Sequence, residues 1–122
     1  MGEAKHDYMI VVQLPAPISV NRSRRIDWRN HGLVKDWLRQ ADALFLTQKR
    51  GLPPPILGQY EIILTLRDGS RLDADNCAKL AIDVLRRYQL VTDDSPKFMR
   101  RVTIEFGNVA GCQITIKPWK SA

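Results

Sequence analysis

The sequence predicts an α+β (mixed α/β) domain in which a single sheet of about four strands carries two helices, in the order β-α-β-α-β-β. Three observations lead there. Apolar residues alternate in 59–67, 98–106 and 112–117, the signature of half-buried strands. They recur at three and four over 33–45 and again over 75–88, the signature of amphipathic helices. The chain has 122 residues, 44% of them hydrophobic, which is enough for one core and one domain over 1–122, with 1–7 expected to be a flexible N-terminus.

The elements follow in order. Tyr8 to Leu14 is a short, nearly continuous apolar run ended by Pro15 and Pro17, and reads as a buried strand. Ile18 to Asn30 has no periodicity and carries Arg22, Arg24, Arg25 and Arg29 with Trp28 among them, so it reads as a basic loop. From Leu33 the residues Val34, Trp37, Leu38, Ala41, Leu44 and Phe45 form one helical stripe. Lys49, Arg50 and Gly51 close that helix, and Pro53, Pro54 and Pro55 forbid its continuation. Gln59 to Arg67 alternates, and Arg67-Asp68-Gly69-Ser70-Arg71 is a polar turn. A second helix is expected from about Asp75 to Tyr88. The last two strands, joined across 107–111, are expected to form a hairpin with a five-residue loop.

Composition narrows the function. No apolar run approaches the roughly 20 residues of a membrane span, and the N-terminus has no apolar signal segment, so the expectation is a soluble, cytoplasmic protein. Two cysteines, Cys77 and Cys112, are too few for a disulfide framework or a zinc site. The net charge of +6 favours a polyanionic partner. Its distribution is uneven: residues 1–50 hold nine bases and five acids, 51–96 five and seven, 97–122 five and one. An acidic middle between basic ends suits an enzyme that brings metal ions to a phosphate better than a protein that merely coats DNA.

The acids cluster at Asp73, Asp75, Asp83, Asp93 and Asp94. On a helical wheel at about 100° per residue, Lys79, Asp83 and Arg86 fall within roughly 80° of Asp75, opposite the apolar residues. Plainer roles exist for the same side chains: Asp73 or Asp75 as a helix cap, and Asp75, Lys79 and Asp83 as i,i+4 ion pairs. Neither accounts for two Asp flanking one Ala, with two more after the helix. Other sites fail on spacing. An EF-hand starting at Asp73 would have Ala78 and Val84 where Gly and Glu are required. There is no Gly-Lys-Ser/Thr for a nucleotide phosphate loop, so no nucleotide cofactor is expected, and His6 and His31 have no partner in a recognisable motif. What remains is an all-oxygen site of Asp73, Asp75 and one of Asp93 and Asp94, expected to be returned to the helix N-terminus by the second connection. Hard oxygen ligands select Mg²⁺, with Mn²⁺ as a substitute, and Lys79 is placed to neutralise a phosphate, so the reaction class is metal-dependent phosphodiester hydrolysis.

The pattern Asp73-x-Asp75-Asn76-x-x-Lys79-x-x-x-Asp83, followed by Asp93-Asp94, resembles the signature of the RusA family of Holliday junction resolvases. Leu14-Pro15-Ala16-Pro17-Ile18-Ser19-Val20-Asn21-Arg22 is similar to that family's N-terminal element, with Ile18 in place of its second proline. Tyr88-Gln89-Leu90 stands where the family usually has a glycine-containing turn. The resemblance spans about 10–117. It implies a RusA-like fold and a homodimeric, Mg²⁺-dependent endonuclease, bacterial or phage-encoded, that resolves four-way DNA junctions by paired symmetric nicks in recombination and repair. It implies metal-binding acids at Asp73, Asp75 and Asp94 with Asp93 in reserve, a catalytic lysine at Lys79, and supporting roles for Asn76 and Asp83.

Phosphate contacts on a branched polyanion fall to Arg22, Arg24, Arg25 and Arg29, then Arg67 and Arg71, then Lys97, Arg100 and Arg101. Trp28 has two readings, a stack on an unpaired base or burial at a dimer interface. Two rival functions share these residues: a less structure-selective Mg²⁺ nuclease acting on flaps or single strands, and a non-catalytic junction-binding protein whose acids are caps and ion pairs.

Overall fold

The computed structural model describes residues 8–16, 28–69, 74–93 and 95–120. The elements are strand β1 (Ile10–Leu14), helix α1 (Trp28–Gln48) with a 3₁₀ turn at Lys49–Gly51, β2 (Tyr60–Arg67), α2 (Ala74–Arg87), β3 (Met99–Gly107) and β4 (Cys112–Pro118). One four-stranded mixed sheet has the order β1-β4-β2-β3. β4 is antiparallel to both β1 and β2, whereas β2 and β3 are parallel, so β1, β2 and β3 all run the same way.

Two expectations are corrected. The last two strands do not form a hairpin: β2 lies between β3 and β4. β2 is buried at Tyr60, Ile62, Leu64, Thr65 and Leu66 and takes a strand on each side. β3 is the exposed edge and β4 is a central strand, with Ile114, Thr115 and Ile116 buried in succession. Four extended residues, 108–111, reach about 13 Å, which exceeds the two strand spacings of roughly 10 Å that they must cross. Second, α1 begins at Trp28, not at Leu33, so Trp28, Arg29 and Asn30 belong to a helix and not to a basic loop. Its first turns carry no apolar stripe, and Gly32 meets nothing within 4 Å, so periodicity has nothing to register there. The rest of the basic segment, 17–27, lies outside the described residues.

The register builds the core in rows. Ile10, Ile116, Ile62 and Val102 stand side by side, then Val12, Ile114, Leu64 and Ile104, then Leu14, Cys112, Leu66 and Phe106. Trp37, Ala41 and Phe45 from α1 and Val84 and Leu85 from α2 join the same buried cluster, so both helices cover this face. The opposite face is polar, with Gln13 bonded to Gln113 at 2.8 Å, Thr65 to Glu105 at 3.2 Å, and Arg101 to Glu61 at 3.0 Å. At the β1 edge the Gln48 amide accepts from the Gln13 N–H at 2.7 Å and donates to its carbonyl at 2.9 Å, occupying an edge position that a strand would otherwise fill.

Between the helices the Phe45 and Tyr88 rings stack at 4.0 Å, and Asp42 accepts from Arg87 Nε at 2.8 Å and from the Tyr88 hydroxyl at 2.7 Å. The Arg87 hydrogen bond, aided by Tyr88, holds the Asp42 carboxyl at about 2 against the opposing effect of burial. Because the folded carboxyl titrates below the unfolded one, its contribution is complete above the unfolded value near 4 and fades as pH falls toward 2. Both charges are partly solvated, so the network is worth about 1 kcal/mol. Asp42→Asn is expected to lower stability at pH 7 by that amount and to leave it nearly unchanged at pH 2, read by urea midpoints at both pH values.

Gly111 is required by close approach. A Cβ there would lie 2.4 Å from the Leu14 carbonyl oxygen and 2.7 Å from the Ala16 nitrogen. Both neighbours are backbone that cannot step aside, so Gly111→Ala is expected to cost about 2 kcal/mol or more, measured as a lowered denaturant midpoint.

Candidate active site

Because β1, β2 and β3 are parallel, the sheet has a front end, where they finish at Leu14, Arg67 and Gly107, and a back end, where they start. Helices that connect parallel strands begin at the front and run to the back. α1 therefore starts at the front with Trp28 and Arg29, and α2 starts there with Asp75 and Asn76 in its first turn. Arg67 is exposed at the front end of β2. The segment after β1 is fixed at the same end, since the Trp37 indole donates to the Ala16 carbonyl at 2.9 Å and Gly111 packs against it. The arginine-bearing segment 17–27 thus leaves the front end at Ala16, which is anchored there, and leads into α1 at Trp28.

Lys79 lies one turn into α2 from Asp75, and Asp83 one turn further; both are exposed. Helix rise puts Asp83 about 12 Å from Asp75 along the axis, so of this pair only Lys79 keeps company with the first turn. The side chains of Arg29, Asp75 and Asn76 lie outside the described ones, and Arg22, Arg24, Arg25, Arg71, Asp73 and Asp94 lie outside the described residues altogether.

Asp93 is at the back end. α2 is about 20 Å long, and the connection after it is pinned to the start of β2. The Ile56 N–H donates to the Leu90 carbonyl at 3.0 Å, the Gly58 N–H to Thr92 Oγ1 at 3.2 Å, and the Tyr60 hydroxyl to the Asp93 carbonyl at 2.7 Å. Within one chain, then, the second connection does not return Asp93 to the N-terminus of α2. The physical reason is the parallel crossover, which obliges α2 to deliver the chain to the far end of the sheet before β3 can begin. Among the described residues, no three acids, histidines or cysteines converge closely enough to hold a metal ion.

The remaining bases also sort by end. Lys97, Arg100 and Arg101 are at the back, where Lys97 Nζ sits 5.9 Å from the Phe98 ring centre, Arg100 donates to the Pro96 carbonyl at 2.9 Å, and Arg101 stacks 4.9 Å from the Trp119 ring centre. Arg101, held by both Glu61 and Trp119, has its charge already engaged.

Two features escaped sequence reasoning. Gln89 adopts a left-handed φ of 54°. The Leu90 N–H donates to the Leu85 carbonyl at 3.0 Å and the Gln89 N–H to the Arg86 carbonyl at 3.1 Å, closing α2 in a Schellman cap with Leu85 and Leu90 both buried. A non-glycine residue in that position carries no sequence signal. Phe106 is half exposed at the front end of β3, although its alternation is the same as that of a core residue.

No protein-family model and no curated protein matches the chain. Among the described residues, no helix is long and apolar enough to cross a membrane.

Proposed function

We propose that this chain is a cytoplasmic, RusA-like structure-specific DNA endonuclease that resolves four-way junctions by Mg²⁺-dependent phosphodiester hydrolysis. The observation that carries the reading is the common front end. The first turn of α2, with Asp75, lies at the same end of the sheet as Arg67 and the anchored start, at Ala16, of the arginine-bearing segment that leads into α1. Acids and bases that are remote in sequence thereby share the place where open α/β sheets bind ligands, beyond the carboxyl ends of parallel strands.

The donor set proposed for the metal is Asp73, Asp75 and Asp94, with Asp93 in reserve. All are carboxylates, which suit Mg²⁺ or Mn²⁺. When bound, such an ion stabilises the charge that develops on the phosphodiester oxygens. Lys79 offers an ammonium one turn from Asp75 and is assigned to the phosphate. Asn76 supports the ligands, Asp83 stands about 12 Å along α2 from Asp75 and is left out of the site, and Arg22, Arg24, Arg25, Arg29, Arg67 and Arg71 hold the DNA backbone.

A homodimer is part of this reading. The front acids and Asp93 are separated by the length of α2 in one chain, and an antiparallel two-fold assembly sets the front end of each copy beside the back end of the other. Lys97 and Arg100 of one copy then flank the front of its partner.

The deciding experiment is a nicking assay on a synthetic mobile four-way junction labelled on each strand in turn, with a flap and a linear duplex beside it. Paired symmetric nicks that need Mg²⁺ and spare the linear duplex are expected. Equal cutting of the flap would demote the protein to a less selective nuclease. Tight binding without cutting under Mg²⁺ or Mn²⁺ would make it a junction-binding protein.

A further inference from the structure

The connection from α1 to β2 holds more proline than a helix stop requires. Gly51 already ends the 3₁₀ turn and one proline would forbid its continuation, yet Pro53, Pro54 and Pro55 follow in a row. Their effect on the backbone is local and strong. Each proline fixes its own φ at about −65°, and a residue before proline is pushed to extended ψ. Leu52, Pro53 and Pro54 all precede a proline, and Leu52 has φ −86° and ψ 145°. No peptide bond among the described residues is cis, so 52–55 makes about one turn of a left-handed polyproline II helix.

Both ends of this turn are tied down. The Leu52 N–H donates to the Lys49 carbonyl at 3.2 Å, and the Ile56 N–H donates to the Leu90 carbonyl at 3.0 Å, with the Ile56 side chain buried. The Pro55 carbonyl accepts from the Tyr8 hydroxyl at 3.3 Å. Among the described residues, none donates a hydrogen bond to the carbonyls of Leu52, Pro53 or Pro54. Pro54 and Pro55 are exposed, and Leu57, just past buried Ile56, is 62% exposed. Lys49 and Arg50, exposed just before the turn, pair with no acid among the described residues.

We propose that 52–57 is a preformed ridge for a partner protein whose groove is lined by aromatic side chains and rimmed by acids. The chemistry of the ridge selects that partner. Proline rings and Leu57 offer flat apolar surface to aromatic rings, and the open carbonyls accept from Trp N–H or Tyr O–H groups set between those rings. Because the turn is held at both ends in the free chain, docking has little backbone entropy left to remove. Lys49 and Arg50 stand at one end only, so acids on the groove fix the direction in which the ridge enters it. A nucleic acid is the poorer match, since its phosphates would face carbonyl oxygens, acceptor against acceptor. The ridge lies at the back end, between the close of α1 and the start of β2, and it stands independently of the junction-nuclease reading.

The probes are three isolated domains that bind polyproline II ligands in aromatic grooves: an SH3, a WW and an EVH1 domain. Each is isotope-labelled and titrated with the full unlabelled chain up to about 1 mM, the weak end of specific association. At least one domain is expected to show chemical-shift changes confined to its aromatic groove. Pro54→Ala and Leu57→Ser are each expected to weaken that binding about tenfold through lost apolar contact. Both positions are exposed, so the thermal melts of the two variants are expected to match the parent. Lys49→Glu combined with Arg50→Glu is expected to weaken binding about tenfold at low salt, an effect that fades as salt is raised. Silence from all three domains overturns the proposal, as does binding outside the groove or binding that Pro54→Ala and Leu57→Ser both leave unchanged. A chain that binds through the ridge and never cuts a junction loses the nuclease reading alone, and one that cuts without binding loses the ridge alone.

Discussion

Asp75→Asn is expected to lower the rate of junction nicking by about 10²–10³-fold or more while junction affinity stays level or rises. Asn and Asp serve equally well near a helix N-terminus, so the start of α2 at Ala74 is kept and the variant folds like the parent. What changes is one charge. A neutral amide is a poor partner for a divalent cation, and removing a negative charge from the first turn of α2 eases the approach of phosphate. The check is single-turnover nicking with labelled junction, together with a gel shift in a chelator and a thermal melt of each variant. Asp83→Asn is the informative control, since it makes the same chemical change on the same helix two turns further along. If Asp75 were only a cap or the first rung of an ion-pair ladder, both substitutions would move stability by tenths of a kcal/mol and neither would touch the nicking rate.

The same helix shows how far the sequence could be read. Its apolar stripe and polar edge place α2 within a residue of its observed bounds, because burial of one face writes a period of 3.6 into the residues. The buried rows were equally legible: Ile62, Leu64 and Leu66 alternate, as do Ile114 and Ile116. Strand pairing was not. Alternation in β3 and β4 states that each has one face inward, and it is silent on whether β2 lies between them. That single ambiguity carried the larger error. A hairpin of β3 and β4 leaves open which way β3 runs beside β2. With β2 and β3 parallel, the helix between them must span its full length. Gly111 and Gln89 were opaque for a related reason, since a close approach of backbone and a left-handed turn are tertiary facts that leave no period behind.

Mixing two inactive variants is expected to restore cutting. Take Asp75→Asn as one chain and the double substitution Asp93→Asn with Asp94→Asn as the other; each alone makes a dimer with both sites damaged. If the front acids of one copy work with the back acids of its partner, the mixed dimer has one site bearing every lesion and one site bearing none. The intact site should nick at close to its native rate, but only one strand of the junction, so nicked product accumulates without the symmetric second cut. Were each site built from a single chain, every site in the mixture would carry a lesion and no activity would return. The topology favours the first outcome, because Asp93 is tied to Tyr60 at the start of β2 while Asp75 opens the helix that follows its end. The measurement is the ratio of single nicks to paired cuts as the two variants are titrated together after joint refolding. A rise from background to a maximum near equal amounts identifies a shared site. Activity that stays at background across the titration, in a sample shown by mass to contain mixed dimers, returns the whole metal site to one chain.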